Sequence, residues 1–426
     1  MAFFIAAGSG TPANPLGPGV DRRKRHTTQK RRTCFSCKTR CRLILRSGCR
    51  PQQAAKGKFM KIEFKGLLLG NLRIDLPIIQ GGMGVRVSSS SLASAVSNEG
   101  ALGVIAAVGL GEECGNEKRD YKMRSRAELT NIIRQTKGMT KNPFGVNIMC
   151  VLTNYDELVE ASQAESVDVI ISGAGLPLRL PSLIKNKQTK LIPIVSSGRA
   201  AQIICDTWAR RYKRLPDAII VEGPLAGGHL GYSLAELADE EHFSLDKILA
   251  EVLAVTRTFE NDKTRIPVIA AGGIFDGKDI ARVMRLGASG VQMATRFVCT
   301  HECDVSLRYK EAYIAAKKED IIVIKSPVGM PGRVIRNEFV TKVTEGALVP
   351  FGCEYKCLYT CDAQKVNYCI AKALLNAYRG DLSKGFAMCG SNAYRIKEIV
   401  SVKELIFELA TEAEACLNTP LSQPAL

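Results

Sequence analysis

No run of eighteen uninterrupted apolar residues occurs anywhere in the 426-residue chain, which argues against a helix of membrane-spanning length. Acidic residues are nearly missing from residues 1–59. That segment holds fourteen Lys and Arg against the single Asp21, so it carries +13 of the total charge of +17. The remaining +4 is ordinary for a soluble enzyme. The basicity belongs to the tail, and nucleic-acid binding stays open only as a reading of that tail. The tail has no helical or strand period and is rich in Gly, Pro, Arg and Lys, so disorder is expected there. It lacks the basic start and long apolar stretch of a secretory signal. A targeting segment, a nucleic-acid arm and an upstream extension before a start at Met60 all fit it, and the extension is the reading adopted. Its Cys34, Cys37, Cys41 and Cys49 have a faint zinc-like spacing but no core around them. The cysteines beyond it are too sparse for a disulfide scaffold. Reduced thiols in a cytoplasmic protein are expected.

What is present, at 46% hydrophobic residues, is enough for a sizeable core. From Met60 short apolar runs alternate with helical patterns. Strands are predicted at 76–80, 102–108, 144–149, 167–172, 191–196, 218–221, 266–271 and 290–294. Near-continuous apolar strands of this length are buried on both faces, as in a parallel sheet. Eight such units over this length predict an α/β fold, a (β/α)8 TIM barrel. No G-x-G-x-x-G opens the first unit, which argues against an open dinucleotide-binding sheet. The expected layout is a basic tail over 1–59, the barrel over 60–323, and over 324–426 a lid loop, a cysteine-rich segment and helices packing on the barrel.

Small and polar residues follow seven of the eight predicted strands: Gly81–Gly84, Asn147, 173–175, 196–198, 227–229, Gly272 with Gly273, and Ala294 with Thr295. In a barrel these positions share the face where active sites form. The stretch 218–232, AIIVEGPLAGGHLGY, is the most informative. A strand ends there in a glycine loop that carries His229, an arrangement suited to a general base beside a flat cofactor. A histidine packed in a tight turn fits equally well at this point. After strands seven and eight, Gly272, Gly273, Ala294 and Thr295 suit a phosphate cradle.

Beyond the predicted barrel, Gly329, Pro331 and Gly332 mark 324–337 as a loop, either a lid or a plain connector. Cys353, Cys357, Cys361 and Cys369 follow with the spacing C-x3-C-x3-C-x7-C. On a helix the first three share a face, which suggests an iron–sulfur cluster or zinc. A helical hairpin that uses cysteine as a small apolar residue is the plainer reading. Tyr394 and Arg395 lie in a later loop, either reaching substrate or packing on the surface.

Taken in order, QGGMG at 80–84, GVNIM at 145–149, SGAGLP at 172–177, EGPLAGGHLG at 222–231, PVIAAGGI at 267–274 and GVQMATRF at 290–297 resemble the nitronate monooxygenase family, formerly called 2-nitropropane dioxygenases. The resemblance runs from about residue 60 to 412. A sibling group, the FMN-dependent enoyl-acyl-carrier-protein reductases, shares the barrel and the glycine–histidine loop. The resemblance implies FMN on the barrel's C-terminal face, its ring near Gly82, Met83 and Asn147 and its phosphate on Gly272, Gly273, Ala294 and Thr295. Ser172, Gly173, Gly227, Gly228 and Gln292 complete the implied cofactor contacts. His229 matches the catalytic histidine, which removes a proton α to a nitro group. Glu222 either orients it, contacts flavin or makes an ion pair. One departure is that 196–199 (SSGR) has no lysine where some members place one near the flavin. The implied activity is oxidation of alkyl nitronates by O2 to carbonyl compounds and nitrite. The alternative is NAD(P)H-dependent reduction of an enoyl thioester. A homodimer acting on a small molecule, with no membrane partner, completes the expectation.

Overall fold

The computed structural model describes residues 65–111, 120–353 and 356–419. The basic tail, with its predicted disorder and its four cysteines, lies outside the described residues. The chain enters as a hairpin of β1 (Leu67–Leu69) and β2 (Leu72–Ile74). Eight parallel strands then build one sheet. In chain order they are β3 (Ile78–Gln80), β4 (Gly103–Ala106), β5 (Phe144–Met149), β6 (Val169–Gly173), β7 (Lys190–Val195) and β8 (Ile219–Glu222), and, after the short β9 (Gly228–His229), β10 (Val268–Ala271) and β11 (Gly290–Met293). The sheet order is β3-β11-β10-β8-β7-β6-β5-β4. A parallel bridge between Ile79 and Leu102 joins the two ends and closes the ring. The predicted (β/α)8 barrel is therefore the fold, and the last element among the described residues is the helix Val402–Asn418.

Alternation along each strand divides two cores. Ile79, Val104, Val169, Ile171, Ile192, Ile220 and Ile269 fill the barrel interior, together with Leu67, Leu69 and Ile74 of the entry hairpin. The alternate residues, such as Ile78, Ile105, Val146 and Ile170, pack outward against the helices. Two-sided burial explains why the strands read as unbroken apolar runs. The hairpin plugs the N-terminal end, where Lys190 at the start of β7 binds Asn71. The opposite, C-terminal mouth is left uncovered by this hairpin.

Two expectations beyond the barrel are corrected. The segment read as a lid or connector is a hairpin, β12 (Ile321–Lys325) and β13 (Pro331–Ile335), joined antiparallel. β9 adds to β13 as a third strand, with Gly332 opposite His229 and Arg333 opposite Gly228. This pairing turns the predicted glycine loop into a held edge. The predicted cysteine helix does not form. The chain near Cys357 is irregular and lies along the loop after β5, through the Leu152–Leu358 bridge and the hydrogen bond from Thr153 N–H to Cys357 C=O at 3.1 Å. Without the helical repeat the thiols are not aligned on one helix face. Among the described residues no group of three or more His, Cys, Asp or Glu is placed to hold a metal ion, so the expected iron–sulfur or zinc centre at Cys353, Cys357, Cys361 and Cys369 finds no support in the structure. Cys353 is exposed and the others half-buried. Burial, then the neighbouring Cys369, Cys353 and Cys361, pushes the Cys357 thiol up to about 12, so it stays protonated near neutral pH.

Candidate functional site

A cavity of about 280 Å³ opens at the C-terminal ends of the strands. Gly81, Gly82 and Met83 after β3, Asn147 in β5, Gly173 at the end of β6, Gly227 to His229, Gly272 and Gly273 after β10, and Gln292, Ala294 and Thr295 at β11 all line it. His229 and all the implied cofactor contacts reach this cavity except Ser172; three of the four late cysteines, 196–198, Gly175, Tyr394 and Arg395 do not line it. Ser172 is fully buried on the outer side of β6. Its hydroxyl donates to Ile148 C=O at 2.9 Å and lies 3.0 Å from the Tyr155 hydroxyl. The reason is the two-residue period: Val169 and Ile171 face the interior, so Ser172 faces out. Of the cysteines, Cys357 alone among the four contributes to the wall.

The glycines are required for distinct reasons. A Cβ on Gly227 would lie 2.6 Å from the backbone carbon of Cys389. That glycine makes room for another part of the chain, not for a ligand. Gly272 and Gly273 have φ of +91° and +79°, and their Cα atoms pack against the 223–226 loop. Among the described residues their two N–H groups have no protein acceptor. Segment 389–392 braces them: Gly390 N–H donates to Thr295 Oγ1 at 3.0 Å and Asn392 Nδ2 to Gly273 C=O at 2.9 Å. Arg395 does not reach the cavity centre. It pairs with Asp276 at 2.7 Å and stacks on Phe275.

His229 is held from two sides. Its backbone is fixed in the β9–β13 pairing, and its Nε2 lies 2.8 Å from the hydroxyl of the buried Ser326, in the β12–β13 turn. Burial pushes the imidazole down to about 4, so it is uncharged at neutral pH. Nδ1 has no protein partner among the described residues. Behind the loop, the buried Arg333 guanidinium donates to Pro224 C=O at 2.9 Å and to Ala226 C=O. Burial lowers its pKa, yet these two acceptors tie it to the turn preceding His229. Glu222 ends β8 at the cavity wall. Burial alone pushes its carboxyl up to about 7, and no cation among the described residues lining the cavity answers it. Ser326, Arg333 and the 389–392 brace were not legible in the sequence. The only local hint was the turn signal at Gly329 flanked by two apolar runs.

Gln292 supplies one further feature. Its Oε1 is buried at the cavity edge without a hydrogen-bond partner among the described residues. A pocket with unengaged backbone N–H groups, an orphaned amide oxygen, a neutral imidazole and apolar walls is built for a ligand with polar edges and a flat apolar face.

The nitronate monooxygenase family model matches residues 65–158 and 151–412, which includes every strand of the barrel. The chain belongs to the nitronate monooxygenase family. Within that setting, it is 30% identical over 273 residues to a nitronate monooxygenase of Pseudomonas aeruginosa, covering 57% of this chain and 71% of that protein. It is 32% identical over 274 residues to the (3aS,4S,5R,7aS)-5-hydroxy-7a-methyl-1-oxo-octahydro-1H-indene-4-carboxyl-CoA dehydrogenase of Mycobacterium tuberculosis, covering 64% of this chain and 67% of that one. Among solved structures, FabK from Thermotoga maritima aligns with a TM-score of 0.62 at 33% identity, covering 80% of this chain and 94% of its own. Relatives at similar distance from this chain thus carry the names of more than one oxidoreductase activity. No described helix is long and apolar enough to cross a membrane.

Proposed function

We propose that this chain is an FMN-dependent nitronate monooxygenase, oxidising alkyl nitronates with O2 to carbonyl compounds and nitrite. The observation that carries the reading is His229: an uncharged imidazole, fixed by Ser326 and open to a cavity ringed by strand ends. The residues present fit FMN. The free N–H groups of Gly272 and Gly273, with the Thr295 hydroxyl, suit its phosphate, and the orphaned Gln292 Oε1 suits a ring N–H donor. Met83, Asn147 and the open side of Gly228 would flank the ring. When bound, FMN supplies the electron acceptance that carbon-acid oxidation requires.

The chain's own contribution is proton chemistry and exclusion of water. The base role requires the tautomer in which Nε2–H donates to Ser326 Oγ and the Nδ1 lone pair is free. Val328 N–H also reaches Ser326 Oγ, at 3.5 Å, consistent with that oxygen acting as acceptor. A neutral base at neutral pH can take the α proton of a nitroalkane at Nδ1, and the apolar walls keep competing water away.

Oxygen uptake by the flavin-loaded protein with ethyl nitronate, without NAD(P)H, tests the proposal. His229→Ala is expected to lower kcat/KM for nitroethane by 10²–10⁴-fold, the usual span for a positioned base. Crotonyl-thioester reduction by NAD(P)H with no nitronate turnover would replace this reading with the reductase one.

A further inference from the structure

Glu222 is the one carboxylate among the described residues lining the cavity, and the proton chemistry of His229 leaves it without a task. The strand register fixes where it points. Glu222 stands opposite Ala271 in the β8–β10 pairing, and Ala271 stands opposite Gln292 in the β10–β11 pairing. Ala271 belongs to the barrel interior, so these three side chains share one inward-facing layer at the mouth. Glu222 and Gln292 therefore offer their oxygens to the same space, with only a methyl group between them, and Gln292 Oε1 has no partner among the described residues. No hydrogen bond or ion pair reaches the Glu222 carboxyl among those residues either.

The surrounding groups bring no positive charge. No Lys or Arg lines the cavity among the described residues, and His229 on β9 is uncharged near neutral pH. Tyr121, Tyr309, Tyr313, Cys357 and Cys389 are phenols and thiols, which carry no positive charge in any state. Tyr232 donates its hydroxyl to the backbone C=O of Glu222 at 2.6 Å, and Glu236 and Glu251, which act on the same phenol, are acids too. An anion in the cavity and an ionised Glu222 would face each other with no cation to separate them. At the effective dielectric of a protein site, a negative charge about 6 Å away makes a carboxyl about a hundredfold harder to ionise. Burial has already brought this carboxyl to about 7, so protonating it near neutral pH costs little.

We propose that Glu222 is the proton-holding residue of an anion site: a nitronate enters together with one proton, which Glu222 takes from solvent and keeps as a neutral carboxyl while the anion is bound. The carboxylate, the anion and the proton on one side become the neutral acid and the bound anion on the other, and no bond of the ligand changes. The proposal rests on reading the cavity as the nitronate site, and it extends that reading to how the negative charge of the substrate is accommodated. A neutral nitro compound binds in the same place without the proton.

The test uses the flavin-loaded full chain and two ligands of one shape that are not oxidised: pivalate, an anion, and 2-methyl-2-nitropropane, its neutral nitro counterpart without an α hydrogen. Calorimetry at pH 8 in two buffers of different ionisation enthalpy counts the protons taken up. Pivalate should take up at least about half a proton and the nitro compound none, and the dissociation constant of pivalate should rise at least about fivefold between pH 7 and 9. Glu222→Gln should abolish the uptake and flatten that rise, whereas His229→Asn should keep both. Uptake that persists in Glu222→Gln, or that disappears in His229→Asn alone, would overturn the proposal by assigning the proton to the ligand or to the imidazole. So would native protein that binds pivalate equally at pH 7 and 9, or that does not bind it at pH 6. Proton-linked pivalate binding by a protein that oxidises no nitronate would uphold the role of Glu222 and overturn only the proposed activity.

Discussion

His229 and Glu222 share one wall and titrate in opposite senses, which allows a test of the site by stability alone. Burial holds His229 at about 4 against its ordinary 6.5. Its contribution is therefore complete above pH 6.5 and is lost as the pH falls to about 4. Burial holds Glu222 at about 7 against 4.5, so its contribution is complete below pH 4.5 and is lost as the pH rises to about 7. Each displacement of about 2.5 on the pKa scale is worth up to about 3.5 kcal/mol, at about 1.4 kcal/mol per unit. Between pH 4.5 and 6.5 the two slopes offset each other in the native chain. Glu222→Gln keeps the shape of the protonated acid and removes its titration. The variant should match the native protein at pH 4 and exceed it at pH 8 by about 2–3 kcal/mol, since both groups also open onto the cavity. Urea unfolding of the flavin-free chain, followed by the fluorescence of the fully buried Trp208, reads the difference. That residue is the sequence's one tryptophan. At a slope of about 3 kcal/mol/M the midpoint should move up by about 1 M at pH 8. Other titrating groups cancel in the comparison of the two proteins. Equal midpoints at pH 8 would refute the reasoning, because they would mean that the Glu222 carboxylate is not starved of partners.

Two further substitutions probe the geometry around the cavity. Ser326→Ala leaves Nε2 of His229 without its hydroxyl partner. It should lower kcat with nitroethane by about tenfold, the worth of one such hydrogen bond at a reacting base, with little change in urea midpoint; an unchanged kcat would remove Ser326 from the mechanism. Gly82→Ala sets a Cβ 2.5 Å from Cβ of Asn147. Overpacking of this kind costs about 1–3 kcal/mol and would displace the Asn147 wall. The flavin-to-protein absorbance ratio of the purified variant should fall well below that of the native chain, and an undiminished ratio would show that this wall does not touch the ring.

The barrel was legible in the sequence because its strands are buried on both sides. Runs such as LIPIV and IPVIAA need no partner information to be recognised, and the small residues that end them mark the end of the barrel where the cavity opens. His229 was legible for the same local reason, as a histidine in a glycine loop at a strand end. Ser172 shows the limit of reading motifs without alternation. It stands beside Gly173 in the sequence, yet faces the opposite side of the sheet from Val169 and Ile171. The cysteine spacing implied a helical face, but the backbone of 356–359 is instead recruited by the loop after β5.

What the sequence determined by itself is the ring of strands and the set of residues gathered at its mouth, since both follow from burial periodicity and turn residues within a few positions of each other. Only the tertiary structure decided how His229 is held. Its partner Ser326 lies in a hairpin turn nearly a hundred residues away, and its buttress Arg333 enters through the pairing of β13 with β9. A pairing of that kind depends on register between distant segments, which no local pattern of side chains encodes.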